Sequence, residues 1–131
     1  EVIIDIDNAV VSLQFESGAI GQVDLSRNGV YAYDISTELM GTAGTIRIGY
    51  LRETPIQIMT KNSVSHDTVP YFLERFSDAY RLQLRNFALN IIHGRQPCVL
   101  VEDGVEAFRV ALAAQKSYES GTSVMVNEIG T

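Results

Sequence analysis

The sequence predicts an α+β fold, a mostly antiparallel or mixed open sheet with two main helices packed on one face. Three observations lead to it. Apolar and polar residues alternate through the first half, apolar residues recur at intervals of three and four through the second, and glycines stand where the turns are needed. With 131 residues, 46% of them hydrophobic and 20% charged, the chain has the size of one domain. A chain this long buries roughly two thirds of its unfolded surface on folding, enough for a core without disulfides or a structural metal. Cys98 is the single cysteine, so no intramolecular bridge can form.

The strands come first. From Ala9 to Phe15, Val11, Leu13 and Phe15 share one face while Val10, Ser12 and Gln14 share the other. Glu16-Ser17-Gly18 reads as a hairpin loop, and Ala19 to Ser26 as the returning strand, with Val23 and Leu25 opposite Gln22, Asp24 and Ser26. Ile35 to Met40 and Thr45 to Ile48 follow, separated by the turn Gly41-Thr42-Ala43-Gly44, and Pro55 to Thr60 adds a fifth strand. Lys61 to Pro70 is polar and aperiodic, the expected mobile loop.

Between Tyr71 and Ile92 the period changes. Phe72, Phe76, Ala79, Tyr80, Leu84, Phe87, Ala88 and Ile91 form one helical stripe, and Gly94 with Pro97 stops it. A second helix is predicted from Val101 to Ser120, with Glu102 and Asp103 at the positive end of its dipole and Gly121 at its close. Thr122 to Ile129 is expected as a last strand.

Ten Lys and Arg against sixteen Asp and Glu give a net charge of -6, which repels phosphate backbones and anionic lipid and argues against nucleic-acid or membrane partners. The start lacks the basic flank of a signal peptide, and no window approaches the roughly 18 apolar residues of a membrane span. A cytoplasmic protein is the expectation. The sequence has no initiator Met and enters an apolar segment at once, which reads as a piece of something longer.

Most familiar chemistry is missing from the pattern. His66 and His93 stand far apart, Cys98 has no CxxC partner, no GxSxG elbow occurs, and Gly41 to Thr45 lacks both a GxGxxG fingerprint and a P-loop lysine. Neither a metal nor a nucleophile is expected. Asp5, Asp7, Glu102 and Asp103 lie at element ends, where capping and solvation account for them.

One connection stands out, Ser26-Arg27-Asn28-Gly29-Val30-Tyr31-Ala32-Tyr33-Asp34. If it is extended, Tyr31 and Tyr33 point the same way and offer ring faces and hydroxyls to a polyhydroxylated ligand. The plainer alternative has the tyrosines half-buried on the sheet and Asp34 paired with Arg27.

The order of these motifs resembles the C-terminal domain of the inositol dehydrogenase and glucose-fructose oxidoreductase superfamily, Gfo/Idh/MocA, over nearly the whole chain. The residues that carry the resemblance are Asp7 to Gly21, Ser26-Arg27 with Tyr31-Ala32-Tyr33-Asp34, Glu38-Leu39-Met40-Gly41 with Gly44, Tyr71 to Phe76 with Ala79-Tyr80, Glu102-Asp103-Gly104, and Ala113 to Ser117. Inositol 2-dehydrogenases look nearest, through the paired tyrosines before Asp34 and the start of the first helix. The resemblance implies a two-domain NAD- or NADP-dependent oxidoreductase whose absent N-terminal Rossmann domain carries the dinucleotide fingerprint and an EKP-type lysine. A His-Asp motif, also absent here, would supply the other catalytic group. It further implies that this chain walls the pocket for a polyol or sugar, builds a homo-oligomer through the open sheet face, and is inactive alone. Arg27, Tyr31, Tyr33 and Asp34 match the segment that reaches the substrate, with Tyr33 ahead of Tyr31 for a direct hydroxyl contact. Leu25, Asn28 and Ile35-Ser36 depart from the residues common there, which leaves the particular substrate open. The alternative is a non-catalytic ligand-binding or association module of the same fold, and an upstream GxGxxG with an EKP-like lysine would separate the two.

Overall fold

The structure, a computed structural model, describes residues 6–49 and 52–130. It is α+β, with β1 (Asn8–Gln14), β2 (Ile20–Ser26), β3 (Thr37–Gly41), β4 (Gly44–Ile48), β5 (Gln57–Met59) and β6 (Val64–His66) followed by α1 (Phe72–Ile92) and α2 (Val101–Ser120). The order of strands then helices is the one the change of period implies. Among the described residues the strands pair in three two-stranded ladders, β1 with β2, β3 with β4 and β5 with β6. The chain divides into two compact units. One takes the described part of Glu1–Ala9 with Asp24–Leu84, the other Val10–Val23 with the described part of Arg85–Thr131.

In the first unit, β3 and β4 form a tight antiparallel hairpin in which Gly41 faces Gly44 and Leu39 faces Ile46. The cross-strand pair of Arg47 and Glu38, 3.9 Å apart and well exposed, adds little stability. β5 and β6 pair in the register Gln57 to His66, Ile58 to Ser65 and Met59 to Val64. Their turn is closed by the Thr60 N–H on the Ser63 carbonyl, 2.8 Å, while the Thr60 hydroxyl oxygen accepts from the Ser63 N–H at 3.1 Å. The stretch expected as a loop from Lys61 to Pro70 thus folds in part as a strand. With only three residues, β6 is too short to show alternation, and its identity comes from pairing with β5. The same stretch supplies Val69, which at 2% exposure is the most buried apolar residue described.

In the second unit, the tip of the β1–β2 hairpin is closed by the Phe15 N–H on the Ala19 carbonyl at 2.9 Å, around the predicted Glu16-Ser17-Gly18 loop. Along the part of β1 in this unit, Val11 and Leu13 are half-buried while Val10, Ser12 and Gln14 are exposed, as the alternation requires. α1 ends as its sequence predicts. Gly94 turns left-handed at φ 61°, its N–H reaches the Ile91 carbonyl at 3.2 Å, and the Arg95 N–H reaches Asn90 at 2.9 Å, satisfying carbonyls the helix leaves open. α2 begins with the Leu100 N–H donating to Asp103 Oδ2 at 2.7 Å, one half of a capping box. It ends at Gly121, whose N–H reaches Ser117 at 2.9 Å. Ala113, 4% exposed, is the buried residue of this helix.

The expected last strand, Thr122 to Ile129, is not one. Val126–Glu128 winds as a single 3₁₀ turn, with the Glu128 N–H on Met125 and the Ile129 N–H on Val126, both at 3.1 Å. Val124, Val126 and Ile129 are half-buried, so the apolar spacing that reads as a strand serves local anchoring instead. Among the described residues, no helix is long and apolar enough to cross a membrane.

Candidate functional site

The segment after β2 leaves regular structure at Arg27 and regains it at Thr37. Its start is fixed by the Arg27 N–H on the distant Asp7 carbonyl at 2.8 Å and, locally, by the Asn28 N–H on the Ser26 hydroxyl at 3.1 Å. Residues 29–33 then form one side of a shallow cavity of about 300 Å³, and Thr68 and Pro70 form the other. The Tyr33 N–H donates to the Val69 carbonyl at 3.0 Å, joining the two sides at a buried residue.

The two tyrosines have different surroundings. The Tyr33 ring is half-buried among Tyr71, Phe72 and Phe76 at centroid distances of 6.0, 6.2 and 6.3 Å, with the Tyr71 and Phe76 rings edge-on. Phe76 in turn meets Tyr80 at 6.5 Å. Tyr31 is 61% exposed, and its ring edge lies 3.7 Å from where a Cβ on Gly29 would stand. Of the residues expected at a site, Tyr31 and Tyr33 therefore line the cavity, whereas Arg27 and Asp34 are exposed and do not. The plainer alternative holds in part, since Tyr33 packs as it proposes, but Arg27 and Asp34 form no ion pair with each other.

Thr68 and Pro70 have no signal in the sequence. They come from the stretch read as a loop, and the Tyr33 to Val69 hydrogen bond and the Tyr33 to Tyr71 ring contact bring them to the tyrosines. Their neighbour Asp67 is fixed too. Both its carboxylate oxygens accept from the Thr54 N–H, at 3.3 and 3.0 Å. Hydrogen bonding by the Thr54 side chain holds this carboxyl below the usual 3.8; desolvation opposes it, and the Thr54 and Glu53 backbone and the His66 charge lower it further. His66 places Nδ1 on the Asp67 carbonyl, which makes Nδ1 the protonated nitrogen.

Chemically, the cavity offers aromatic faces, phenol and threonine hydroxyls and backbone groups. Among the described residues no group of three or more His, Cys, Asp or Glu side chains is placed to hold a metal ion. A dinucleotide does not fit these residues either. Its pyrophosphate needs open N–H groups at a helix start, but α2 opens on the Asp103 carboxylate with Glu102 beside it, and α1 has Glu74 in its first turn.

The cavity is a shallow, hydroxyl-bearing concave site of the kind that takes a small polar molecule. Comparison with known proteins places the chain in a family. Residues 1–126 match the family described as "Oxidoreductase family, C-terminal alpha/beta domain", Gfo/Idh/MocA, and the chain belongs to this family. It is 37% identical over 123 residues to the scyllo-inositol 2-dehydrogenase (NAD(+)) of Bacillus subtilis, covering 94% of this chain and 36% of that protein. It is 40% identical over 126 residues to the myo-inositol 2-dehydrogenase of Thermotoga maritima, covering 95% of this chain and 38% of that protein. Among solved structures, scyllo-inositol dehydrogenase from Lactobacillus casei with bound NAD(H) and scyllo-inositol superposes with a TM-score of 0.87 at 25% identity, over 93% of this chain and 36% of that one. The chain thus spans little more than a third of the relatives it matches.

Proposed function

We propose that this chain is the substrate-side domain of a two-domain NAD- or NADP-dependent dehydrogenase that oxidises a ring hydroxyl of an inositol or a similar polyol. The observation that carries the reading is that the tyrosine segment, singled out from sequence alone, forms a cavity with Thr68 and Pro70. The names and bound ligands of its relatives agree with it. In this reading Tyr31 lays its exposed ring along the C–H face of the polyol and turns its hydroxyl to a ring hydroxyl. Tyr33, held among aromatic rings, is the rigid neighbour that sets the depth of the pocket and contributes its own hydroxyl. Arg27 and Asp34, both exposed at the ends of the segment, reach the substrate or the preceding domain across the rim.

In this reading the proton acceptor and the dinucleotide site belong to the remaining length of the protein, with a Rossmann domain as the expected carrier. Self-association of the apolar strand surfaces completes the proposal, since Leu39, Ile46, Ile58 and Met59 are all exposed here. The test is to express the full-length protein and follow formation of reduced nicotinamide with myo-inositol, scyllo-inositol and simple sugars as substrates. Oxidation of an inositol, weakened when Tyr31 and Tyr33 lose their hydroxyls, is the expected result. Turnover of no polyol with either dinucleotide would defeat the reading.

A further inference from the structure

We infer that Arg75 is a positioning residue for polyol binding, acting through the backbone of the tyrosine segment rather than on the substrate. The inference rests on the proposed function of the cavity and extends it to a residue outside the lining. Arg75 sits in the first turn of α1, half-buried, and its Nη2 donates to the Ile35 carbonyl at 2.6 Å, across 40 positions of sequence. A guanidinium on a backbone carbonyl is a charge-assisted bond, short and stronger than a neutral one.

Its target has few other restraints. Residues 32–36 belong to no strand or helix, so no ladder holds their backbone. What fixes them comes from three separate places. The Tyr33 N–H is bound by Val69, the Ile35 carbonyl by Arg75, and the far side of the Ile35-Ser36 peptide rests against Gly49 so closely that a Cβ there would lie 2.9 Å from the Ile35 oxygen and from Ser36 Cα. Among the described residues Arg75 is the one polar side chain in this clamp, and it comes from the helix that also supplies Phe72 and Phe76 to the Tyr33 ring. Helix and segment therefore move as a unit, and the cavity wall keeps its shape because that carbonyl is held.

A positioning role predicts a particular kinetic signature. A wall that relaxes weakens binding of the polyol in ground and transition states alike, which raises its KM while leaving kcat and the KM of the dinucleotide nearly unchanged. In the full-length enzyme, Arg75→Ala should raise the polyol KM about tenfold. Arg75→Lys keeps one donor but loses the planar fork, so it should raise KM only about two- to threefold. That graded rescue is the readout, because general destabilisation would lower the melting temperature without sorting the two substrates. Should Arg75→Ala fail to fold, Arg75→Lys decides alone.

An unchanged polyol KM in the lysine variant, and in the alanine variant where it folds, would overturn the inference. Tyr31→Phe and Tyr33→Phe, measured beside them, separate the levels. If the tyrosine variants move the polyol KM and the Arg75 variants do not, the positioning role falls and the site stands. If none of the four moves it, or the wild type oxidises no polyol, the site falls and takes the inference with it.

Discussion

The surroundings of Tyr33 and the helix α2 are stabilised in opposite ways. Around α2 the polar contacts are between near neighbours in sequence: Asp103 with Leu100, Arg109 with Glu106 at 2.7 Å, Gln115 with Glu119 at 2.9 Å, and the Ser117 hydroxyl with the Thr122 carbonyl at 2.7 Å. Around Tyr33 they join distant parts of the chain, Val69 to Tyr33 and Arg75 to Ile35, and Gly49 packs closely against Ser36 beside them. Local contacts are individually weak and replaceable. Long-range ones close loops whose entropy has already been spent, so losing one releases a whole segment.

The sharpest way to break this comparison is to put the same change into both regions. Gly49 has φ 126° and no room for a Cβ, whereas Gly121 has φ 68° with open space around it. Gly49→Ala should destabilise by about 2 to 4 kcal/mol, combining the strained backbone with overpacking against Ile35 and Ser36. Gly121→Ala should cost only about 1 kcal/mol, the penalty of the left-handed conformation alone. Denaturant unfolding of both variants in the full-length protein provides the check, and equal losses would show that the segment is not clamped.

Next in size is the ring of Tyr33. Tyr33→Ala should cost roughly 2 kcal/mol, less than a fully buried aromatic because the ring is half-buried. Tyr33→Phe should leave the melting temperature nearly unchanged while lowering kcat/KM for the polyol several-fold to about a hundredfold, one neutral hydrogen bond being worth about 0.5 to 1.5 kcal/mol and more where a partner is left unpaired. Tyr31→Phe, on an exposed ring, should affect kinetics without affecting stability. An unaltered kcat/KM in both phenylalanine variants would return the segment to a packing role.

On the local side, Asp103→Ala removes the acceptor for the Leu100 N–H and a negative charge at the positive end of α2. Its expected cost is about 1 kcal/mol, seen as a lower unfolding midpoint. A loss as large as that of Gly49→Ala would mean that the start of α2 carries more than its own cap.

This division also explains what the sequence reveals. The hairpin at Glu16-Ser17-Gly18, the ends of both helices and the acidic start of α2 are written in adjacent residues, so pattern and turn chemistry find them. The tyrosine segment is legible as an unusual concentration of functional side chains. What is not legible is everything that depends on a distant partner. Thr68 and Pro70 meet the tyrosine segment where Val69 is bound by Tyr33, and Val64 to His66 is a strand through its pairing with Gln57 to Met59. Val124 and Val126 show the converse, an alternation that finds no strand partner. Arg27 and Asp34 illustrate the same limit within the site, since opposite charges close in sequence need not meet when the chain between them curves around a cavity.

The smallest effect tests whether the clamp extends to Asp67, which ties the residues before β5 to those after β6. Its carboxyl is held below the ordinary 3.8 chiefly by hydrogen bonding from the Thr54 side chain, joined by the Thr54 and Glu53 backbone. A folded-state value below the unfolded one stabilises the fold at pH above 3.8, and the contribution is lost as pH falls through the lower, folded value. Wild type and Asp67→Asn should therefore differ in melting temperature at neutral pH and converge on the acid side of 3.8, where the wild-type carboxyl is protonated as well. Because the carboxyl is only part-buried, the gap should be modest. Convergence in the opposite direction, with the variants separating as pH falls, would mean that burial rather than Thr54 governs this group. The two strands would then be linked by their own ladder and the Thr60 to Ser63 turn.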